Sequence, residues 1–115
     1  MKPPEPTGPA QLPPAQAVAM AGLVSYQPGA IVSRELVTRA QGRVVLFAFD
    51  AGQGLSEHTS PFAALVQGVE GAAEVTVAGQ LARVAEGDLL LMPAGQPHAL
   101  KALTRFKMIL TLLRD

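Results

Sequence analysis

The chain predicts an all-β domain, a sandwich or closed barrel of short antiparallel strands. Three observations carry this. Glycine and proline are frequent, at 11 and 10 of 115 residues, and most stand between short apolar runs. Those runs are built from Val, Leu and Ala, with few aromatics. Turn signals recur every eight to twelve residues or so, and no segment repeats convincingly with the helical period.

The elements follow in order. Pro3, Pro4, Pro6, Pro9, Pro13 and Pro14 crowd the start. Proline fixes φ and removes a backbone donor, so residues 1–16 are predicted to be a disordered or extended tail, and 17–115 a single domain. Leu23–Tyr26 is a predicted strand, closed by the turn signal Gln27-Pro28-Gly29. Ala30–Thr38 is the next strand, broken by Ala40-Gln41-Gly42. Arg43–Phe49 is apolar on both faces, which predicts cover on both sides, from a second sheet or a partner. Ala51–Gly54 reads as a glycine turn and Phe62–Val69 as a strand. Ala73–Val77 alternates cleanly and joins Leu81–Val84 through a hairpin at Ala78-Gly79-Gln80. Leu89–Met92, His98–Leu103 and Phe106–Leu113 complete the set.

Composition narrows the functional classes. Nine basic residues balance nine acidic ones, with no long run of either sign. This argues against nucleic acid or an anionic membrane as partner. The chain has no cysteine, so disulfides, thiol catalysis and Cys-ligated zinc are excluded, and a cytoplasmic location is expected. The apolar stretch Ala15–Val24 follows a proline-rich lead with a single Lys2, which argues against a secretory signal. No apolar run reaches the ~18 residues of a membrane-spanning helix.

The chemistry-bearing residues sit in two glycine-anchored segments. The first is Gly52-Gln53-Gly54-Leu55-Ser56-Glu57-His58-Thr59-Ser60, closing at Gly71. The second is Gly87-Asp88-Leu89-Leu90-Leu91-Met92-Pro93-Ala94-Gly95-Gln96-Pro97-His98. They contain the only two histidines, His58 and His98, the natural candidates for metal binding or acid–base work. Strand alternation puts His58 and Ser60 on one face and turns Glu57 outward. Gln67 has the wrong parity to share Ala64's face, and Arg43 and Arg83 read as surface residues. Phe47, Phe49, Met92 and Met108 are expected in the core or lining a pocket.

Together the two segments resemble the paired motifs of the cupin superfamily. Gly52, His58 and Gly71 match the first motif, and Gly87, Pro93, Gly95 and His98 match the second. Ser60, Ala64 and Ala102 stand where the family pattern has histidine, glutamate and asparagine. The resemblance, over about residues 22–113, implies a double-stranded β-helix, the jelly-roll barrel. It also implies a divalent metal (iron, manganese, nickel or zinc) held by His58 and His98, with Ser60 and Ala64 at the two unfilled ligand positions. A small-molecule ligand, dioxygenase- or isomerase-like chemistry and a homodimer follow as expectations. The alternatives are a metal-free binding or sensor module and a metal-free enzyme using one histidine as base. Whether the chain is an enzyme, and on what substrate, the sequence leaves open.

Overall fold

A computed structural model describes residues 11–114. Nine strands follow a 3-10 turn at Met20–Gly22: β1 (Ile31–Arg39), β2 (Gly42–Phe49), β3 (Gly54–His58), β4 (Ala63–Glu70), β5 (Ala72–Val77), β6 (Gln80–Ala85), β7 (Leu89–Met92), β8 (His98–Ala102) and β9 (Phe106–Leu113). They form two antiparallel sheets, ordered β1-β2-β9-β4-β7 and β3-β8-β5-β6. The β5–β6 hairpin uses the two-residue loop Ala78-Gly79, both with positive φ, a geometry that matches the twist of its strands. The expected all-β barrel is observed.

Between the sheets lies the main core, in which Phe49, Val66, Val75, Val84, Phe106 and Met108 are almost fully buried. Each such side chain contributes roughly 1.5–3 kcal/mol on burial. The rings of Phe47 and Phe49 stack at 5.7 Å between centroids, and Phe49 and Phe106 tilt together at 6.0 Å.

A second apolar cluster lies on the outer face of the five-stranded sheet. Leu36, Leu46 and Ala48 are buried there under Val24, with Leu12, Leu23, Tyr26 and Ile109 packed around them. This explains why Arg43–Phe49 is apolar on both faces: Phe47 and Phe49 face the barrel, and Leu46 and Ala48 face the chain's own leading segment. The expected cover on both faces of β2 is present: the second sheet supplies one side, and the chain's own leading segment supplies the other in place of a partner. The expected strand at Leu23–Tyr26 is corrected. That stretch lays side chains on the sheet and joins no ladder.

The leading segment is anchored at both ends. Leu36 sits where the β1–β2 register slips, and its carbonyl accepts the Leu12 N–H at 2.8 Å. Gln11 Oε1 accepts from the Thr38 N–H at 3.2 Å on the same strand. At the other end the Tyr26 hydroxyl donates to Glu70 at 2.5 Å, with Arg105 and Lys107 near the ring face. Burial and the Glu70 carboxylate hold the Tyr26 phenol above its ordinary range. Residues 11 and 12 of the expected tail thus rest on the sheet, and Met1–Ala10 lie outside the described residues.

Candidate functional site

The two histidines meet at one end of the barrel. β3 and β8 run side by side, pairing Leu55 with Leu100 and His58 with His98. Leu55 and His58 are three apart, yet both lie on the inner side. Strict alternation forbids this, and the register shift between them makes it happen by inserting one extra residue. Without that bulge Glu57 would stand opposite His98. With it Glu57 is exposed, as expected.

Gly54 lets the strands approach. A Cβ there would lie 2.3 Å from the Leu100 carbonyl oxygen, so no side chain fits. The strand starts at this glycine, where a turn was expected. On the other side, Gly95 at φ +76° turns the loop that delivers His98 to β8. The Gly95 N–H donates to the Ser60 carbonyl at 2.8 Å, tying the two segments together.

The imidazoles lie edge to face, 4.3 Å between centroids, with their Nε2 atoms 3.1 Å apart. His58 Nδ1 is 2.7 Å from the Ser56 carbonyl and His98 Nδ1 is 3.2 Å from the Gln96 carbonyl. A carbonyl only accepts, so each Nδ1 must carry the hydrogen. The Nε2 pair is then satisfied in one of two ways: one ring is protonated and donates its Nε2–H to the other, or both Nε2 lone pairs are bare and free to bind a cation beside them. Two nitrogens bound at right angles to one ion at ~2.1 Å lie about 3.0 Å apart, close to the observed spacing. His98 is buried at 8 % exposure, whereas His58 is exposed.

Other expected site residues are placed as follows. Met92 and Met108 line the small cavity beneath the histidines with Leu55, Leu100 and Leu110. Ala64 faces the barrel core at 2 % exposure. Phe47 and Phe49 pack in the core and do not line that cavity. Ser60 departs from expectation: β3 ends at His58, and the Ser60 hydroxyl accepts the Phe62 N–H at 3.1 Å in the following turn. Among the described residues no three His, Cys, Asp or Glu side chains gather closely enough to hold a metal ion. Gln67 and Arg83 are exposed, while Arg43 is half-buried and paired with Glu35. The sequence reading missed the Ser56 and Gln96 carbonyls that orient the rings. Their signal was the position two residues before each histidine.

Comparison with known proteins bears on this geometry. A family model described as a cupin domain matches residues 45–112. A conserved protein of unknown function from Streptococcus pyogenes is similar at 36% identity and TM-score 0.84, over 90% of this chain and 91% of that one. A cupin superfamily protein from Desulfitobacterium hafniense is similar at 28% identity and TM-score 0.83, over 90% and 95%. A salicylate 1,2-dioxygenase variant from Pseudoaminobacter salicylatoxidans shares the fold at 20% identity and TM-score 0.67, over 71% of this chain and 26% of that one. No match was found among curated proteins.

Proposed function

The chain belongs to the cupin family, and from its site we infer a small-molecule-binding barrel whose His58–His98 pair takes a divalent metal ion weakly. The observation that carries this reading is the pair of facing Nε2 atoms, 3.1 Å apart, whose rings are both committed through Nδ1 to backbone carbonyls. Imidazole suits iron, manganese, nickel and zinc. With two protein ligands the remaining positions fall to water or ligand oxygen, so affinity is low and the ion is labile. A bound ion would polarise a ligand oxygen, the chemistry that dioxygenase- or isomerase-like activity needs. Titration with nickel should show saturable one-to-one binding that is lost in both His58→Ala and His98→Ala. Equal binding by wild type and either variant would overturn the reading.

One observation favours a second reading, a metal-free ligand-binding or sensor module. Ser60 spends its hydroxyl on the Phe62 N–H and Ala64 has nothing to ligate with, so no third ligand is present among the described residues. Elemental analysis of freshly purified protein separates the two.

The same proposal includes a homodimer. The leading segment covers β1 and β2, but Leu89, Leu91 and Leu113, on the outer faces of β7 and β9, remain 56–65% exposed. Large leucines left exposed on one face of a sheet, here on strands either side of β4, are best satisfied by a second copy of the same face. Light scattering should give twice the chain mass, and Leu91→Lys should shift it toward monomer. Among the described residues no helix is long and apolar enough to cross a membrane. The absence of cysteine favours a cytoplasmic location within this reading.

A further inference from the structure

The barrel interior beneath the histidines is filled. Met92, Met108, Leu55 and Leu110 leave a cavity of about 40 Å³. That is room for something the size of one water, whose share of liquid volume is ~30 Å³. A metabolite cannot lie inside this barrel as it stands. A larger hollow opens beside it, where β6 and β7 part from the turn at Glu86–Asp88. They are edge strands, one from each sheet, each paired on one side only. The groove between them measures about 430 Å³ and is walled by Val77, Ala82, Leu90 and Pro93, with Gln80 and Gln96, and Leu91 at its rim is shared with the proposed dimer face. Ligand pockets run from ~300 to 1,000 Å³, so its size is that of a metabolite site and not of a surface dimple.

Among the described residues the lining carries no titratable side chain. A carboxylate or phosphate would find no counter-charge there. A neutral, mostly apolar molecule would find apolar walls and two amide groups able to donate and accept. The groove also abuts the histidine pair. Val77 is the register partner of His98, and the Ala78 N–H donates to the Pro97 carbonyl at 2.8 Å, beside His98. Gln96 lines the groove, and its carbonyl holds the His98 ring.

We propose that the β6–β7 groove binds the body of an uncharged, largely apolar small molecule, with its polar end directed past Gln96 toward the histidine pair. This rests on the reading of that pair as the reactive end. The groove's own occupancy can be tested apart from it. The probe is 1-N-phenylnaphthylamine, a neutral aromatic whose emission rises and shifts to the blue in apolar surroundings. Wild type should bind it saturably, one to one. Ala82→Phe fills the groove and should weaken binding at least tenfold while leaving nickel uptake unchanged. Gln80→Trp, at an exposed position, gives the same test should Ala82→Phe fail to fold. His58→Ala should bind the probe as wild type does, so a wild type that binds the probe but takes up no nickel overturns the metal reading alone and leaves the groove standing. With only two histidines in the chain, their ring resonances are assigned by the two alanine variants. Saturation with the aromatic probe should move those of His98. A probe that does not saturate, that binds the filled variants as tightly as wild type, or that leaves the His98 resonances in place overturns the proposal.

Discussion

His98 and His58 reach the same point from segments of opposite character. His98 opens β8, which is flanked on both sides by β3 and β5, and its ring is buried. The loop before it is held by the Gly95 N–H on Ser60 and by the Pro97 carbonyl on Ala78. His58 closes β3, an edge strand paired on one side only, behind a register shift and between exposed neighbours. One half of the site is built into the sheet, and the other half is brought to it by an edge. The departures from the family pattern follow this division. The second segment keeps its glycines, proline and histidine, whereas the first keeps one histidine and has Ser60 and Ala64 at its other ligand positions.

The largest effect should come from testing how far the first segment has closed over its missing ligand. Ala64 has Met92 and Leu112 as register neighbours on either side and is 2 % exposed. Ala64→Glu places a carboxylate there with no partner, which should cost about 3–5 kcal/mol. Adding Ser60→His and saturating nickel should return part of this as a metal-dependent rise in Tm, because only the folded chain presents the completed site. If nickel leaves the Tm of the folded double variant unmoved, residues 60 and 64 are not at the ligand positions.

Next in size is the fit of the edge strand. Gly54→Ala would drive a methyl group into the Leu100 carbonyl, a backbone atom that cannot swing aside. Such overpacking costs about 1–3 kcal/mol. It should also lift β3 from β8, so nickel affinity should fall together with stability. Loss of stability with unchanged nickel affinity would show that His58 is positioned independently of this contact.

The second segment was the more legible in sequence, and the contrast has a physical cause. Its spacing is dictated by local chemistry: a positive-φ glycine at Gly95, prolines on either side of it, then a strand. Strand alternation held on β5, which lies between β8 and β6: Ala73 and Val75 are buried in the core and Val77 packs against it. It failed at β3, where a bulge shifts the phase and the strand stops at His58, because the phase is set by pairing with β8 and not by the segment itself. The leading segment misled for a similar reason. Leu23–Tyr26 has the composition of a strand, but it buries its side chains on the outer face of β2 without backbone pairing, and composition does not distinguish the two. The groove between β6 and β7 left no sequence signal, since it depends on how two edges diverge.

A smaller effect compares the histidines directly. His98→Ala removes a buried ring and should lower stability by about 1–2 kcal/mol, whereas His58→Ala, at an exposed edge, should stay within ~0.5 kcal/mol of wild type. Nickel binding should be lost equally in both. Equal destabilisation in chemical denaturation would mean that the edge is as firmly built as the centre.

The smallest effect concerns how the first segment is moored. Asp50 lies two residues before Gly52. It accepts the Gly29 N–H at 2.7 Å and the Arg105 Nε–H at 3.1 Å, and its carbonyl accepts the Gln53 N–H at 3.1 Å. The Gly29 N–H, and after it Arg105, hold the carboxyl below its ordinary range. A carboxyl whose folded pKa lies below its unfolded value of ~3.9 contributes stability in full above that value. The contribution is lost as pH falls through the folded pKa. Asp50→Asn keeps an amide oxygen for Gly29 but no charge, so it should melt slightly below wild type at pH 6. The two curves should draw together in acid, as the wild-type carboxyl becomes protonated and loses the same advantage. A Tm difference that stays constant from neutral pH into strong acid would show that Asp50 moors the turn by shape alone, with its charge contributing nothing to how β3 is presented to β8.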